Sequence, residues 1–290
     1  MYGRRKSNIG RHLPTSGGLR RTLERAAELG CEALQIFVSN PQGWAPPPER
    51  PDAEVLGEGK LRMGLSPVVA HAKYLINLSS PDEELRERSV RALAAELSAA
   101  GRLGVDLVVV HAGSHGGDGE ERGMERLARG LDAARALAAG MDGRVAEPVV
   151  ENSCGAGTQL CSSVSILGRL ARMAGVRVCV DTAHAFVAGY DLTTPEGAAR
   201  LAGELEENLD GRVAVMHLND ARNGPGSRRD GHAKIGEGRI PAASFAALFS
   251  ALPGVPAVME TPYGTAEEDA REIERAKELA GGLRGSPDGI

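Results

Sequence analysis

The stretch Leu107-Val-Val-Val-His111 decides the fold. Four apolar residues in a row end abruptly in a histidine. An apolar side chain at every position suits a strand covered on both faces, as in a parallel sheet wrapped by helices. Working outward, comparable runs occupy Ser7–Gly10, Ala33–Val38, Pro67–His71, Pro148–Glu151, Val176–Asp181, Val213–His217 and Ala257–Glu260. Amphipathic stretches lie between them. Leu19, Leu23, Ala26, Ala27 and Gly30 share one helical face. Val90, Leu93, Ala94 and Leu97 share another, as do Met124, Leu127, Leu131, Ala134 and Ala138. Ser80-Pro81-Asp82-Glu83 reads as a helix start with Ser80 as the N-cap, and Thr194-Pro195-Glu196 as a second start. Eight β-α units with no linker between them predict a single-domain (β/α)8 TIM barrel over residues 1–280. Residues 281–290 (GGLRGSPDGI) are expected to be a frayed tail, and SNPQGWAPPPERP after Val38 a rigid proline-rich loop.

Composition narrows the function. The chain has 290 residues, 42% of them hydrophobic and 25% charged, which excludes a disordered or fibrous protein. A formal net charge of −5 argues against a broadly basic surface that coats nucleic acid, while leaving room for a local basic groove. No apolar run approaches the ~18 residues of a membrane span, and MYGRRKSNIG lacks the apolar core of a secretory signal. The four cysteines, Cys31, Cys154, Cys161 and Cys179, form no CxxC pair and read as reduced thiols of a cytoplasmic protein. A cysteine-ligated zinc site is not expected.

A barrel carries its chemistry at the C-terminal ends of its strands. Those ends here are His71, His111, Glu151, Asp181, His217 and Glu260. Six consecutive strands thus deliver an imidazole or a carboxylate to one mouth. Two short motifs add to them: Asp181-Thr-Ala-His184, and Asp230-Gly-His232, whose alternate spacing aims two side chains the same way from an extended segment. Four carboxylates in one pocket repel one another unless protonated or bound to metal. Imidazole and carboxylate donors without thiolate match zinc, or manganese or iron at some positions. Nine donors, one of them bridging, suit three metals with open positions for water. His12 and His115 are left outside the ligand set. Three divalent ions would also reverse the sign of the chain's charge balance.

The sequence resembles the endonuclease IV family of apurinic/apyrimidinic endonucleases. The resemblance is carried by HAKYLINLSSP from His71, HAGSH from His111, ENSCG from Glu151, DTAHAFVAGYDL from Asp181, HLNDARNGPGSRRDGHAKIGEGRI from His217, and METP around Glu260. It implies a barrel with three zinc ions. His71, His111 and Glu151 would hold one. Glu151 would bridge to a second that also takes Asp181, His217 and Glu260. His184, Asp230 and His232 would hold the third. It implies hydrolysis of the phosphodiester 5′ to abasic sites in double-stranded DNA, with hydroxide as nucleophile and Glu151 and Glu260 as catalytic residues. The products are a 3′-hydroxyl and a 5′-deoxyribose phosphate, and blocked 3′ ends are a further substrate.

The same resemblance makes Tyr74 and Leu75 the pair inserted at the lesion. Gln42 of NPQGW stands where the family commonly has an arginine, with Trp44 bracing that loop. Phosphate contacts are expected from Arg222, Arg228, Arg229, Lys234 and Lys73, and the protein is expected to act as a monomer. The few aromatic residues sharpen the picture: Phe37, Trp44, Tyr74, Phe186, Tyr190 and Tyr263 are all expected to rim the mouth. Two alternatives stay open. A barrel sugar isomerase or epimerase also gathers His, Glu and Asp around divalent metals, but needs fewer of them. A non-catalytic DNA-binding protein would keep the cluster as scaffold.

Overall fold

The computed structural model describes residues 6–141 and 143–281. In chain order the elements are β1 (Ile9–His12), α1 (Leu19–Glu28), β2 (Ala33–Phe37), α2 (Ala53–Met63), β3 (Val68–His71), α3 (Glu83–Arg102), β4 (Leu107–His111), α4 (Glu120–Ala139), β5 (Glu147–Glu151), α5 (Val164–Ala174), β6 (Arg177–Asp181), α6 (Thr182–Ala188), α7 (Pro195–Leu209), β7 (Val213–His217), β8 (Asp220–Ala221), β9 (His232–Ala233), α8 (Ala242–Ala251), β10 (Ala257–Met259) and α9 (Ala266–Ala280). Eight parallel strands close into a barrel in the order β1-β10-β7-β6-β5-β4-β3-β2. The TIM barrel expected from the strand pattern is the fold observed. The short antiparallel pair β8–β9 and the helix α6 are embellishments on its C-terminal face that the pattern did not announce. Past Gly281, the expected frayed tail lies outside the described residues.

Two apolar layers build the barrel. One set of strand residues, including Leu34, Ile36, Val68, Val108 and Val150, packs outward on the helices. The alternate set, Ala33, Val69, Leu107, Val109, Val149, Cys179, Ala214, Val215 and Val258, forms a separate inner cluster. Side chains in a strand repeat every second residue on the same face. The next inward position after Val69, Val109, Val149, Cys179, Val215 and Val258 is therefore His71, His111, Glu151, Asp181, His217 and Glu260. The apolar plug forms a floor, and the polar residues stand on it.

Local chemistry sets the helix entries. Thr194 caps α7 as expected, accepting from Gly197 N at 3.1 Å. The cap of α3 is Asp82, not Ser80: its carboxylate accepts from Leu85 N at 3.2 Å, and Ser80 Oγ instead accepts from Asp82 N one step earlier. Aspartate is as good a cap as serine, and the chain turns one residue after Pro81. At the other end of the chain, the fully buried Arg11 of β1 ties down the β10–α9 connection. It pairs with Asp269 at 2.9 Å and donates to Thr261 O at 3.0 Å.

Closure at β1–β2 depends on Gly10, which lies opposite Ala33. A Cβ there would stand 1.8 Å from Ala33 O. Backbone cannot yield as a side-chain tip can, so Gly10→Ala is expected to lower stability by about 3 kcal/mol or more. The denaturant midpoint against the unsubstituted protein measures this; an unchanged midpoint would contradict the close approach.

Candidate metal centre

The barrel mouth brings the six strand-end residues within donor distance of one another. His71 Nε2 and His111 Nε2 lie 3.4 and 3.2 Å from Glu151 Oε2. On the other side of the same carboxylate, His217 Nδ1 lies 2.9 Å from Glu151 Oε1, 3.2 Å from Glu260 Oε2 and 4.0 Å from Asp181 Oδ2. Glu151 therefore faces both groups, as a bridging ligand must. His71, His111 and Glu151 form one set of donor atoms within 4.8 Å of each other, and Glu151, Asp181, His217 and Glu260 form another.

The remaining residues arrive from the embellishments. Asp181 ends β6 and caps α6, its Oδ1 accepting from His184 N at 2.7 Å, so the strand-to-helix corner fixes His184 one turn on. The β8–β9 pair presents His232. A third donor set joins Asp181, His184 and His232. Asp230 faces the same two rings, with oxygens 3.4 Å from His184 Nε2 and 3.3 Å from His232 Nε2. Asp181 thus lies within reach of two donor sets rather than one, since its Oδ2 is also 3.5 Å from His232 Nε2. All nine expected residues converge. The structure adds Cys179, grouped with Glu151 and His217 from one layer below. Burial pushes its thiol up to about 12, so it stays protonated and supplies no anionic sulfur.

A shell of amides and carboxylates that the spacing analysis missed orients the donors. Asn152 takes Asp181 N on its Oδ1 at 2.6 Å and donates to Asp181 O at 3.1 Å. Its own carbonyl holds His184 Nδ1 at 2.9 Å. Asn219 donates to Asp181 Oδ2 at 2.6 Å and accepts from Glu260 N at 2.8 Å. Buried Asp220 accepts from Ala221 N, Gly236 N, Gly238 N and Ile240 N, gathering the loop that carries His232. A polar residue on a strand end next to a ligand, as in Glu151-Asn152 and His217-Leu-Asn219-Asp220, was the available signal.

The electrostatics ask for cations. Burial opposes charge on His217, but the neighbouring carboxylates of Glu260 and Glu151 outweigh it and hold the ring well above the ordinary imidazole range. His184 is raised likewise, burial being overcome by Asp181, Asp230 and Glu151. Against burial, Asp181 and Asp230 lift His232 to about 9. Burial raises Glu260, yet His217 and His71 bring it down to about 2. Two buried atoms, Glu151 Oε2 and His232 Nε2, make no hydrogen bond although partners stand within 3.2–3.5 Å. Divalent cations shared among these donors would satisfy both orphaned atoms and neutralise the carboxylates without protonated rings. The residues present fit such ions. His12 remains outside every donor set; burial lowers it to about 4, so its ring is neutral.

A cavity of about 700 Å³ opens above the centre, lined by His12, Phe37, Tyr74, His111, Asp230 and Tyr263 among others. Tyr74 is half exposed and its ring stacks 5.9 Å from that of His111. Leu75 beside it is partly buried, and Gln42 is exposed on the neighbouring loop. The two loops are joined by Tyr74 N donating to Pro41 O at 3.1 Å. Arg222, Arg228 and Arg229 are exposed on the β8–β9 connection. Two expected phosphate contacts are not available. Lys73 is buried, paired with Glu96 at 3.2 Å and donating to Ser39 Oγ and Asn40 O, because its side chain turns under the loops rather than out of them. Lys234 is largely buried between Glu268 and Asp269, each at 3.6 Å. Of the six aromatic residues expected at the rim, Phe37, Tyr74 and Tyr263 line the cavity. Trp44 instead stacks on Arg88 at 4.3 Å, Phe186 is in the core, and Tyr190 packs against it.

A family model described as a xylose isomerase-like TIM barrel matches residues 23–283. The probable endonuclease 4 of Methanoculleus marisnigri is 37% identical over 281 residues, covering 94% of this chain and 99% of the relative. The chain belongs to the endonuclease IV family. A second member of endonuclease IV, the probable endonuclease 4 of Oleidesulfovibrio alaskensis, is 41% identical over 286 residues, with 94% and 95% covered. The crystal structure of endonuclease IV from Thermus thermophilus superposes with a TM-score of 0.82 at 35% identity, covering 94% of this chain and 98% of that one. A D-tagatose 3-epimerase-like protein gives 0.69 at 19% identity over 94% and 98%, a likeness of fold alone.

The pH response of metal-free protein tests the electrostatics. A group raised in the fold, such as His232 from 6.5 to about 9, stabilises fully below 6.5 and loses that contribution as pH rises through about 9. The melting temperature of chelator-treated protein is therefore expected to fall between pH 6.5 and 9, and saturating zinc, which binds neutral rings, to abolish the fall. A flat profile without metal would contradict the imidazole–carboxylate pairing.

Proposed function

We propose that this chain is a DNA repair endonuclease that hydrolyses the phosphodiester 5′ to abasic sites, leaving a 3′-hydroxyl and a 5′-deoxyribose phosphate, and that also clears blocked 3′ ends. The observation that carries the reading is the convergence of nine imidazole and carboxylate donors, eight of them in three overlapping sets and Asp230 beside the third, under an open mouth in a chain of the endonuclease IV family. Three zinc ions, with manganese or iron at some positions, would be held by His71, His111 and Glu151, by Glu151, Asp181, His217 and Glu260, and by His184, Asp230 and His232. When bound, such ions supply Lewis acidity, neutralising phosphate charge and lowering the pKa of water toward ~7.

The chain's own residues do the rest. Glu260 lies at the edge of the cavity with its backbone fixed by Asn219, placed to orient the attacking water. Glu151 keeps its carboxylate ionised between facing imidazoles. An abasic nucleotide lacks a base to unstack, so it leaves the helix at lower cost than an intact one. Tyr74 and Leu75 would fill the gap it leaves, with Gln42 entering from the adjoining loop. Arg222, Arg228 and Arg229 would hold the flanking phosphates and make binding salt-dependent. Among the described residues no helix is long and apolar enough to cross a membrane. The protein would act as a monomer on chromosomal DNA in the cytoplasm. A sugar epimerase shares the barrel, but has no use for exposed arginines and an exposed tyrosine around a wide mouth.

Incubation with a duplex carrying one abasic site, beside an intact control, tests the proposal. The expected result is a nick immediately 5′ of the lesion, lost on exhaustive chelation and restored by zinc. Metal-independent cutting on the 3′ side would overturn it. Glu260→Gln is expected to slow turnover about 10²–10⁴-fold. Tyr74→Ala is expected to weaken lesion binding about 10-fold, as loss of one stacking contact does, and leave binding to intact duplex nearly unchanged.

A further inference from the structure

On β2 the barrel interior carries a polar side chain that neither the ligand pattern nor the mechanism uses. On β2, Leu34 and Ile36 pack outward while Ala33 belongs to the inner apolar cluster. Gln35 takes the next inward position, the one that holds a ligand on six other strands. It is fully buried. A barrel interior ordinarily fills such a place with an aliphatic residue, and a buried amide is tolerated only where its polar atoms are satisfied.

Each polar atom of the Gln35 amide meets a member of the centre or its neighbour. Nε2 donates to Glu260 Oε1 at 2.6 Å and to His12 Nδ1 at 3.1 Å. Oε1 lies 2.9 Å from His217 Nε2. The polarity of this hydrogen-bond relay is forced. An ionised carboxylate only accepts, so the Gln35 NH2 must face Glu260. Its oxygen then faces His217, and an amide oxygen only accepts, so His217 Nε2 carries a proton. A neutral His217 therefore has its lone pair on Nδ1, the atom that points at Glu151, Glu260 and Asp181. The same amide engages Glu260 Oε1 and leaves Oε2, 3.2 Å from His217 Nδ1, free to face the centre.

We infer that Gln35 is a positioning residue that selects the ligating atom of two metal-centre residues, setting the His217 tautomer and the Glu260 rotamer together. The inference rests on the metal-centre reading above. Outer partners of this kind fix ring orientation and ligand basicity in metal sites. His12, opposite Gln35 on β1, completes the relay as an acceptor and needs no charge to do so.

The test compares wild-type protein with Gln35→Met, which keeps the volume and removes both hydrogen-bonding roles, and Gln35→Glu, which can accept from His217 but, ionised, cannot donate to Glu260. Zinc affinities are read by competition with a chromophoric chelator, and the His217 tautomer by long-range 1H–15N correlation in histidine-labelled, zinc-loaded protein. The expected wild-type spectrum shows Nε2 protonated and Nδ1 metal-bound. Gln35→Met is expected to weaken one zinc about 10–100-fold and to lose the hydrogen-bonded Nε2 proton signal. Gln35→Glu is expected to keep that signal while kcat on the abasic duplex falls and KM changes little. If Gln35→Met does not fold, the Gln35→Glu spectrum and its kcat and KM decide alone. Unchanged zinc affinities with an unchanged His217 signal in Gln35→Met, or His217 bound through Nε2 in the wild type, would overturn the inference. Wild-type protein that takes up no zinc would overturn the metal-centre reading and this inference with it, an outcome separate from a loaded centre indifferent to Gln35.

Discussion

Mutual repulsion among buried carboxylates is the constraint on which the rest of the structure depends. Glu151, Asp181 and Glu260 stand together above an apolar plug, with Asp230 at their edge. Removing charges from water costs several kcal/mol per ion unless partners are close and well placed. Five imidazoles and the cations they can share with the carboxylates meet that demand. Everything around them fixes which atom of each group faces inward: Asn152 and Asn219 for Asp181, Gln35 for His217 and Glu260, and Asp220 for the loop bearing His232. Arg11, near the start of the chain, holds the β10–α9 connection against β1 and so keeps Glu260 in register with the first strands of the barrel.

Rigidity below and exposure above divide the labour. The inner cluster is made of small and branched residues that are buried beneath the donors. The loops above it carry Tyr74, Gln42 and the arginines of the β8–β9 connection, exposed where a large anionic polymer can reach them. The buried Lys73–Glu96 pair lies between the two, anchoring the Ser39–Asn40 turn and the Tyr74 turn to α3. A barrel alone does not choose a substrate, since epimerase-like proteins superpose on this chain at low identity. The choice lies in the donor set and in what surrounds the mouth.

Much of this was legible because strand periodicity is short and local. Val109 followed two residues later by His111 announces both a buried strand and a polar mouth, and five other strands repeat the statement. Gln35 escaped because Ile36 and Phe37 follow it, so the strand does not end on its polar residue. Lys73 was misread for the opposite reason: its place next to Tyr74 indicates the loop, while the direction of its side chain depends on Glu96, a helix away in sequence. The same holds for Lys234, captured by α9, and for Phe186, whose place just past the end of β6 does not distinguish a core residue from a rim residue. Contacts set by distant elements leave no local signature, whereas alternation within a strand does.

The most direct measurement of the central claim is anomalous diffraction at the zinc absorption edge from crystals of the zinc-loaded protein. Three peaks are expected within the barrel mouth, two of them sharing Glu151 and the third beside His184 and His232. A single peak, or peaks away from these nine residues, would contradict the three-metal centre.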